Sequence, residues 1–127
     1  MAFGADLVNL VPAGTLAGAS GNGTTVDLSG YSAGVICINV TVATSTPSIL
    51  PAFNWSDDGI TFSAIGLATI ALLGATTAGA ITAITSVSQS WYQFLPANLA
   101  LPRKFRVSWS GGTGTVNFGA NAYMRRG

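Results

Sequence analysis

The stretch Gly34-Val-Ile-Cys-Ile-Asn-Val-Thr-Val42, continued further on by Ala52-Phe-Asn-Trp-Ser-Asp-Asp-Gly-Ile-Thr-Phe62, decides the fold class. In the first part Ile36, Ile38, Val40 and Val42 alternate with Cys37, Asn39 and Thr41. A period of two gives a strand one buried and one wetter face. Thr44–Pro51 reads as a connection. In the second part Phe53 and Trp55 share a face, Ser56-Asp-Asp-Gly59 supplies turn chemistry, and Ile60 and Phe62 resume the alternation. Two central strands and a tight hairpin follow.

Working outward, Thr25–Tyr31 reads as a strand that ends in a turn at Ser29-Gly30. Ser90-Trp-Tyr-Gln-Phe-Leu95 reads as an aromatic strand stopped by Pro96. Further on, Phe105, Val107 and Trp109 alternate with Lys104, Arg106 and Ser108. After Gly111-Gly-Thr-Gly114, Val116, Phe118, Ala120 and Ala122 alternate with Asn117, Gly119 and Asn121. A four-residue loop here predicts a hairpin with Trp109 opposite Val116 and Val107 opposite Phe118. The charge-free run Ile60–Ile84 is broken by Gly, Ser and Thr and has no close Lys or Arg flank. It reads as a short strand, a loop at Gly74–Gly79 and a strand over Ala80–Val87, with a short helix in Leu67–Leu73 as the other choice, and not as a membrane span.

Residues 1–24 read as an N-terminal arm and glycine-rich loop, with a short strand at Leu7–Val11 that stops at Pro12. Residues 25–127 read as the folded domain. Short strands, glycine turns and no helical period predict an all-β protein. The expected architecture is an antiparallel β-sandwich, jelly-roll or immunoglobulin-like, with an extended N-terminal arm.

Of the 127 residues, 49% are hydrophobic and 7% charged, where about a quarter charged is usual. So apolar a chain folds, and its sparse surface charge favours assembly over a free monomer. The net charge of +1 gives no overall attraction to nucleic acid. The acids Asp6, Asp27, Asp57 and Asp58 all precede residue 59, and the bases Arg103, Lys104, Arg106, Arg125 and Arg126 all follow residue 102. A single cysteine, Cys37, excludes an internal disulfide, and the first residues lack the pattern of a secretion signal.

Histidine and glutamate are absent, which removes His-centred triads and the usual imidazole metal ligands. Asn54-x-Ser56-x-Asp58-Gly59 faintly echoes a calcium loop, yet Ile65 stands where a bidentate Glu is needed. Gly18–Gly23 and Gly111–Gly114 lack the Lys-Ser/Thr ending of a phosphate loop. Arg103, Lys104, Arg106, Arg125 and Arg126, with Trp91, Tyr92 and Trp109 nearby in sequence, suggest a surface for single-stranded nucleic acid, but the aromatics belong mostly to the expected buried face and the bases are few. A solvated edge or a patch paired with acidic groups outweighs it. Carbohydrate binding requires Trp55, Trp91 or Trp109 to be exposed. The expectation is no enzyme, no cofactor and no metal.

Val26-Asp-Leu-Ser-Gly-Tyr31, Val35 with Asn39-Val-Thr41, Thr46-Pro47 and Ser56-Asp-Asp-Gly-Ile-Thr-Phe62 resemble segments of small virion proteins of tailed bacteriophages. Leu101-Pro-Arg-Lys-Phe-Arg-Val-Ser-Trp109 with Gly111–Gly114 extends the resemblance from Thr25 to the C-terminus. It implies a β-sandwich encoded among structural genes, in some members a capsid decoration or cement protein, and transfers no catalytic residue. The expectation is therefore a virion protein, seated on the capsid surface across junctions of the major capsid protein and stabilising the shell. It would be made in the host cytoplasm without secretion and would form a homo-oligomer, trimer or dimer, with no nucleic-acid or membrane partner. The alternative is a carbohydrate-binding, adaptor or tail component of the particle. The candidate interface residues are Leu7, Val8, Leu10 and Val11 of the arm, lying on a neighbouring subunit, together with Arg103, Lys104, Arg106, Arg125 and Arg126.

Overall fold

The computed structural model describes residues 6–64, 70–72, 81–94 and 103–126. They form an antiparallel all-β structure, with no helix among the described residues and hence none long and apolar enough to cross a membrane. The strands are β1 (Asp6–Leu16), β2 (Gly21–Asn22), β3 (Val26–Asp27), β4 (Tyr31–Ser56), β5 (Ser63–Ala64), β6 (Ile70–Leu72), β7 (Ser88–Phe94) and β8 (Lys104–Arg126). All belong to one sheet of order β1-β8-β4-β7-β6, with β2 and β3 also on β8 and β5 on β4.

Two long strands set the plan. β4 pairs with β8 over its whole length, from Tyr31↔Arg126 to Ser56↔Lys104. Thr44–Pro51 is thus part of a strand and not a connection. The expected C-terminal hairpin is also corrected, because β8 runs through Gly111–Gly114 without reversing. Trp109 pairs with Pro51, Val107 with Phe53, Val116 with Ala43 and Phe118 with Val40. Both flanks of β8 explain this. β4 lies on one side, and residues 6–27 follow the other from Asp6↔Met124 to Asp27↔Lys104. A hairpin would have left those backbone groups unpaired, at the cost of many hydrogen bonds.

The N-terminal arm is therefore, from Asp6 on, a strand of this chain's own sheet. β1 passes Pro12 at a register shift, where the ladder to β8 skips from Val11↔Ala120 to Thr15↔Phe118 and asks for no Pro12 N–H. Its continuation is tied to β8 by Ala17 N–H to Val116 O (2.9 Å), Gly112 N–H to Ala19 O (3.0 Å) and Gly23 N–H to Val107 O (2.7 Å).

The three-stranded ribbon folds over at one corner. Gly111 and Gly114 of β8 have φ of 65° and 66°, and opposite them Ser45 and Thr46 of β4 have φ of 60° and 57°. The ladder skips from Thr44↔Thr115 to Ser48↔Thr113 at this point. Such left-handed residues bend and twist a strand pair. Beyond the corner the two limbs face each other. Trp109 of one limb meets Phe118 of the other edge-on, centroids 4.9 Å apart, and Phe53 meets Tyr92 at 5.3 Å. Phe94 and Phe105 close the far end at 5.6 Å. The segment before β7 is pinned to the opposite limb through Ile49↔Ile84.

The alternation sorts side chains as expected for Ile36, Ile38 and Val40, and for Phe105, Val107, Trp109, Val116, Phe118, Ala120 and Ala122, all buried. Val42 departs from the pattern, since a register shift after Val40 turns it outward. Ile60 does too and is 83% exposed. Of the expected strand over residues 80–87, only the bridge at Ile84 forms among the described residues. The loop expected at residues 74–79, most of the 67–73 helix alternative, and Pro96 lie outside the described residues.

Candidate functional site

The fold gathers the charges. Asp6 pairs alongside Arg125 and Arg126 at one end of β8, while Asp27 pairs with Lys104 at the other. The folded ribbon brings both ends together at its open end, opposite the corner. There Arg126 Nε lies 2.9 Å from Asp6 Oδ2 and its guanidinium stands 4.9 Å over the Tyr31 ring. Lys104 Nζ lies 3.9 Å from Asp27 Oδ2. Arg106 stands 3.8 Å over Phe62, with Nε reaching toward Asn54 Oδ1 at 3.5 Å. Exposed pairs of this kind add little stability. Their consequence is spatial: the corner end carries no charged side chain among the described residues, and there Leu16 and Leu50 are exposed, with Val42 close by.

The candidate interface residues thus divide. Leu10 and Val11 are fully buried in this chain's own core and Val8 packs against it. Their strand continues past Pro12, where the sequence predicts a stop, and pairs with β8. Leu7 is 62% exposed, opposite Tyr123. Lys104 and Arg126 have acidic partners within the chain. Arg103 and Arg125 are exposed at the open end.

Two clefts open near that end. One, of about 460 Å3, is lined by Trp55, Asp57, Thr61, Ser63 and Arg103. The other, about 350 Å3, is lined by Val35, Gln93, Tyr123 and Arg125. Ser56 and Asp58 also line the first, with Ser56 Oγ 3.0 Å from Asp58 Oδ1. The Asp57–Asp58 pair is split between a free-standing carboxylate and a structural one. Asp58 Oδ1 accepts from the backbone N–H of Ile60 (2.8 Å) and Thr61 (2.9 Å) and from Ser56 Oγ (3.0 Å), while Gly59 takes φ +78°. Those N–H donors fix the loop and explain why Ile60 leaves the strand pattern.

Because the Thr61 and Ile60 N–H groups and the Ser56 hydroxyl stabilise its charged form, the Asp58 carboxyl is held below its ordinary value of 3.8. Asp27 is lowered likewise, first by the Ser29 hydroxyl and then by the Ser29 N–H. A depressed carboxyl contributes stability above its unfolded pKa and loses it as pH falls through the folded one. Thermal melts followed by circular dichroism should therefore hold steady down to about pH 5 and fall below about pH 4. In Asp58→Ala the acid-side fall should be shallower; a curve parallel to the parent's would refute the assignment.

A third surface escaped the sequence reading. The outward side chains of four neighbouring strands come into cross-strand rows: Leu7, Tyr123, Val35 and Gln93, then Asn9, Asn121, Cys37 and Trp91, then Asn39 and Gln89. Trp91 and Tyr123 reach across β4 and stack at 5.8 Å and 29°. Cys37, between Asn121 and Trp91 in its row, is buried, and burial pushes its thiol up. Asn9 Nδ2 donates to Asn121 Oδ1 (2.9 Å) and to Val11 O (3.2 Å). The alternation had put Cys37, Asn39, Asn117 and Asn121 on the wetter face, but only the register sets them side by side.

Neither a protein-family profile nor a curated protein sequence matches the chain. Its fold is similar to that in the crystal structure of SPBc2 prophage-derived protein YomS, with a TM-score of 0.55 and 11% sequence identity over 94% of this chain and 91% of the other.

Proposed function

We propose that this chain is a non-enzymatic structural protein of a bacteriophage particle, and within the particle a decoration or cement protein of the capsid. The observation that carries the reading is the fold likeness, over nearly the full length of both chains, to a prophage-derived protein. The separation of charge adds to it. A sheet folded over on itself in the manner of a β-sandwich presents an uncharged corner end with Leu16, Val42 and Leu50 on its surface. Burying those side chains against junctions of the major capsid protein, or against further copies of itself as a dimer or trimer, gains about 25 cal/mol per Å2. The open end, with Arg103 and Arg125 exposed, supplies polar contacts that set orientation.

The test uses shells of the parent phage assembled without this protein. Purified protein should coat them and raise their melting temperature. Leu16→Asp with Leu50→Asp should weaken coating by about tenfold or more, since charges would replace buried apolar contacts, and should leave the protein's own melt unchanged. Full coating by the double variant removes the corner end from the mechanism. Electron microscopy that finds the protein on the tail ends the decoration reading in favour of a tail or adaptor component.

A further inference from the structure

We infer that the outward face of β1, β8, β4 and β7 is a binding surface for an uncharged oligosaccharide, with Trp91 and Tyr123 as its platform and Asn9, Asn39, Asn121 and Gln89 as its hydrogen-bonding frame. The inference goes beyond the shell-docking reading and does not depend on it. Three features of the face carry it.

The first is the ring pair. Trp91 and Tyr123 sit on strands separated by β4, yet they stack over it; none of the three tryptophans is fully exposed, Trp91 being half-buried, and it is Tyr123, 38% exposed, that opens the pair to solvent. The solvent-facing part of the stacked pair offers an apolar surface on which the axial C–H groups of a pyranose ring can pack.

The second is the amide set. Asn and Gln carry both a donor and an acceptor on one planar group, which matches vicinal sugar hydroxyls that also donate and accept. Asn9, Asn39 and Gln89 are exposed, on rows adjoining the rings. The Asn9–Asn121 bond uses one donor and one acceptor and so holds the two amides in a fixed pose, with the Asn9 carbonyl oxygen and the Asn121 NH2 left to face a ligand. A held side chain loses less entropy when it binds.

The third is charge. From the Leu7–Gln93 row to the Asn39–Gln89 row no described outward side chain is ionised, and Arg125 stands only at the border, in the cleft of about 350 Å3 beside Tyr123. A polyanion finds no cationic partners along these rows. A neutral glycan strand leaves no charge unpaired.

The experiment exposes the labelled protein to an array of uncharged hexose and N-acetylhexosamine oligosaccharides, with sialylated and sulfated glycans as charged comparators. Binding is expected among the uncharged ones only. Trp91→Ala should lower affinity by about tenfold or more, and Asn39→Ala, on an exposed position, by about threefold with an unchanged melting temperature. The Asn39 variant keeps the test decisive if uncovering Cys37 impairs folding of the Trp91 variant. Retention of no uncharged glycan overturns the proposal, as does unchanged affinity in both variants. A parent that sediments as a dimer and a Trp91→Ala variant that sediments as a monomer also overturns it, because the face is then a contact between copies.

Discussion

Gly114→Ala is expected to destabilise the protein by about 3 kcal/mol or more, lowering its melting temperature by roughly 10 °C. Two effects combine at this one position. The backbone has φ +66°, where an L side chain costs about 1–2 kcal/mol. The added methyl group would also sit 2.5 Å from the carbonyl oxygens of both Thr44 and Ser45 and 3.0 Å from Pro47 Cα. All three are backbone atoms, so no rotamer change relieves the overlap. Gly111 is the natural comparison, with φ +65° but nothing within 4 Å of a new Cβ. Gly111→Ala should therefore show the backbone cost alone, about 1 kcal/mol. Urea unfolding of the two variants isolates the clash by difference. If Gly114→Ala proves no worse than Gly111→Ala, the tight corner described above is wrong.

The same corner marks where sequence and structure part. Side-chain alternation is local, so the buried sets of β4 and β8 were legible residue by residue. So was the Asp58-Gly59 turn, because an Asx side chain writes its own hydrogen bonds. Register over long distances is not local. Gly111-Gly-Thr-Gly114 has the composition of a hairpin loop, and nothing nearby in sequence reveals that residues 45 and 46 bend in step with it. Once β4 and β8 are paired end to end, much else follows. The arm becomes a strand, Lys104 and Arg126 meet Asp27 and Asp6, and the amide and aromatic rows line up. Each had a visible residue pattern; none had a visible neighbour.

Phe105→Ala is expected to cost about 3–5 kcal/mol, a large share of the 5–15 kcal/mol by which domains of this kind are stable. Phe105 is fully buried, lies nearly parallel to Phe53 at 6.1 Å and meets Phe94 edge-on at 5.6 Å. Its place in the topology raises the stakes. Within each limb the backbone ladder holds strand to strand. Between the limbs, away from the corner, the described backbone contacts are the Ile49↔Ile84 bridge and the Thr24 N–H to Leu10 O bond (2.8 Å), so side-chain packing does most of the joining. Phe105 is the ring that joins them at the open end, where the corner gives least support. The loss should therefore be uneven as well as large. In hydrogen exchange, amides of Val26–Asp27 and Asn54–Ser56 should lose protection first, ahead of Val35–Val40 and β7, whose ladder is untouched. Phe105→Leu keeps most of the volume and should cost under about 1.5 kcal/mol. Uniform loss of protection across both limbs would mean that the sheet yields as one unit, and the picture of two limbs locked by facing rings would have to be given up.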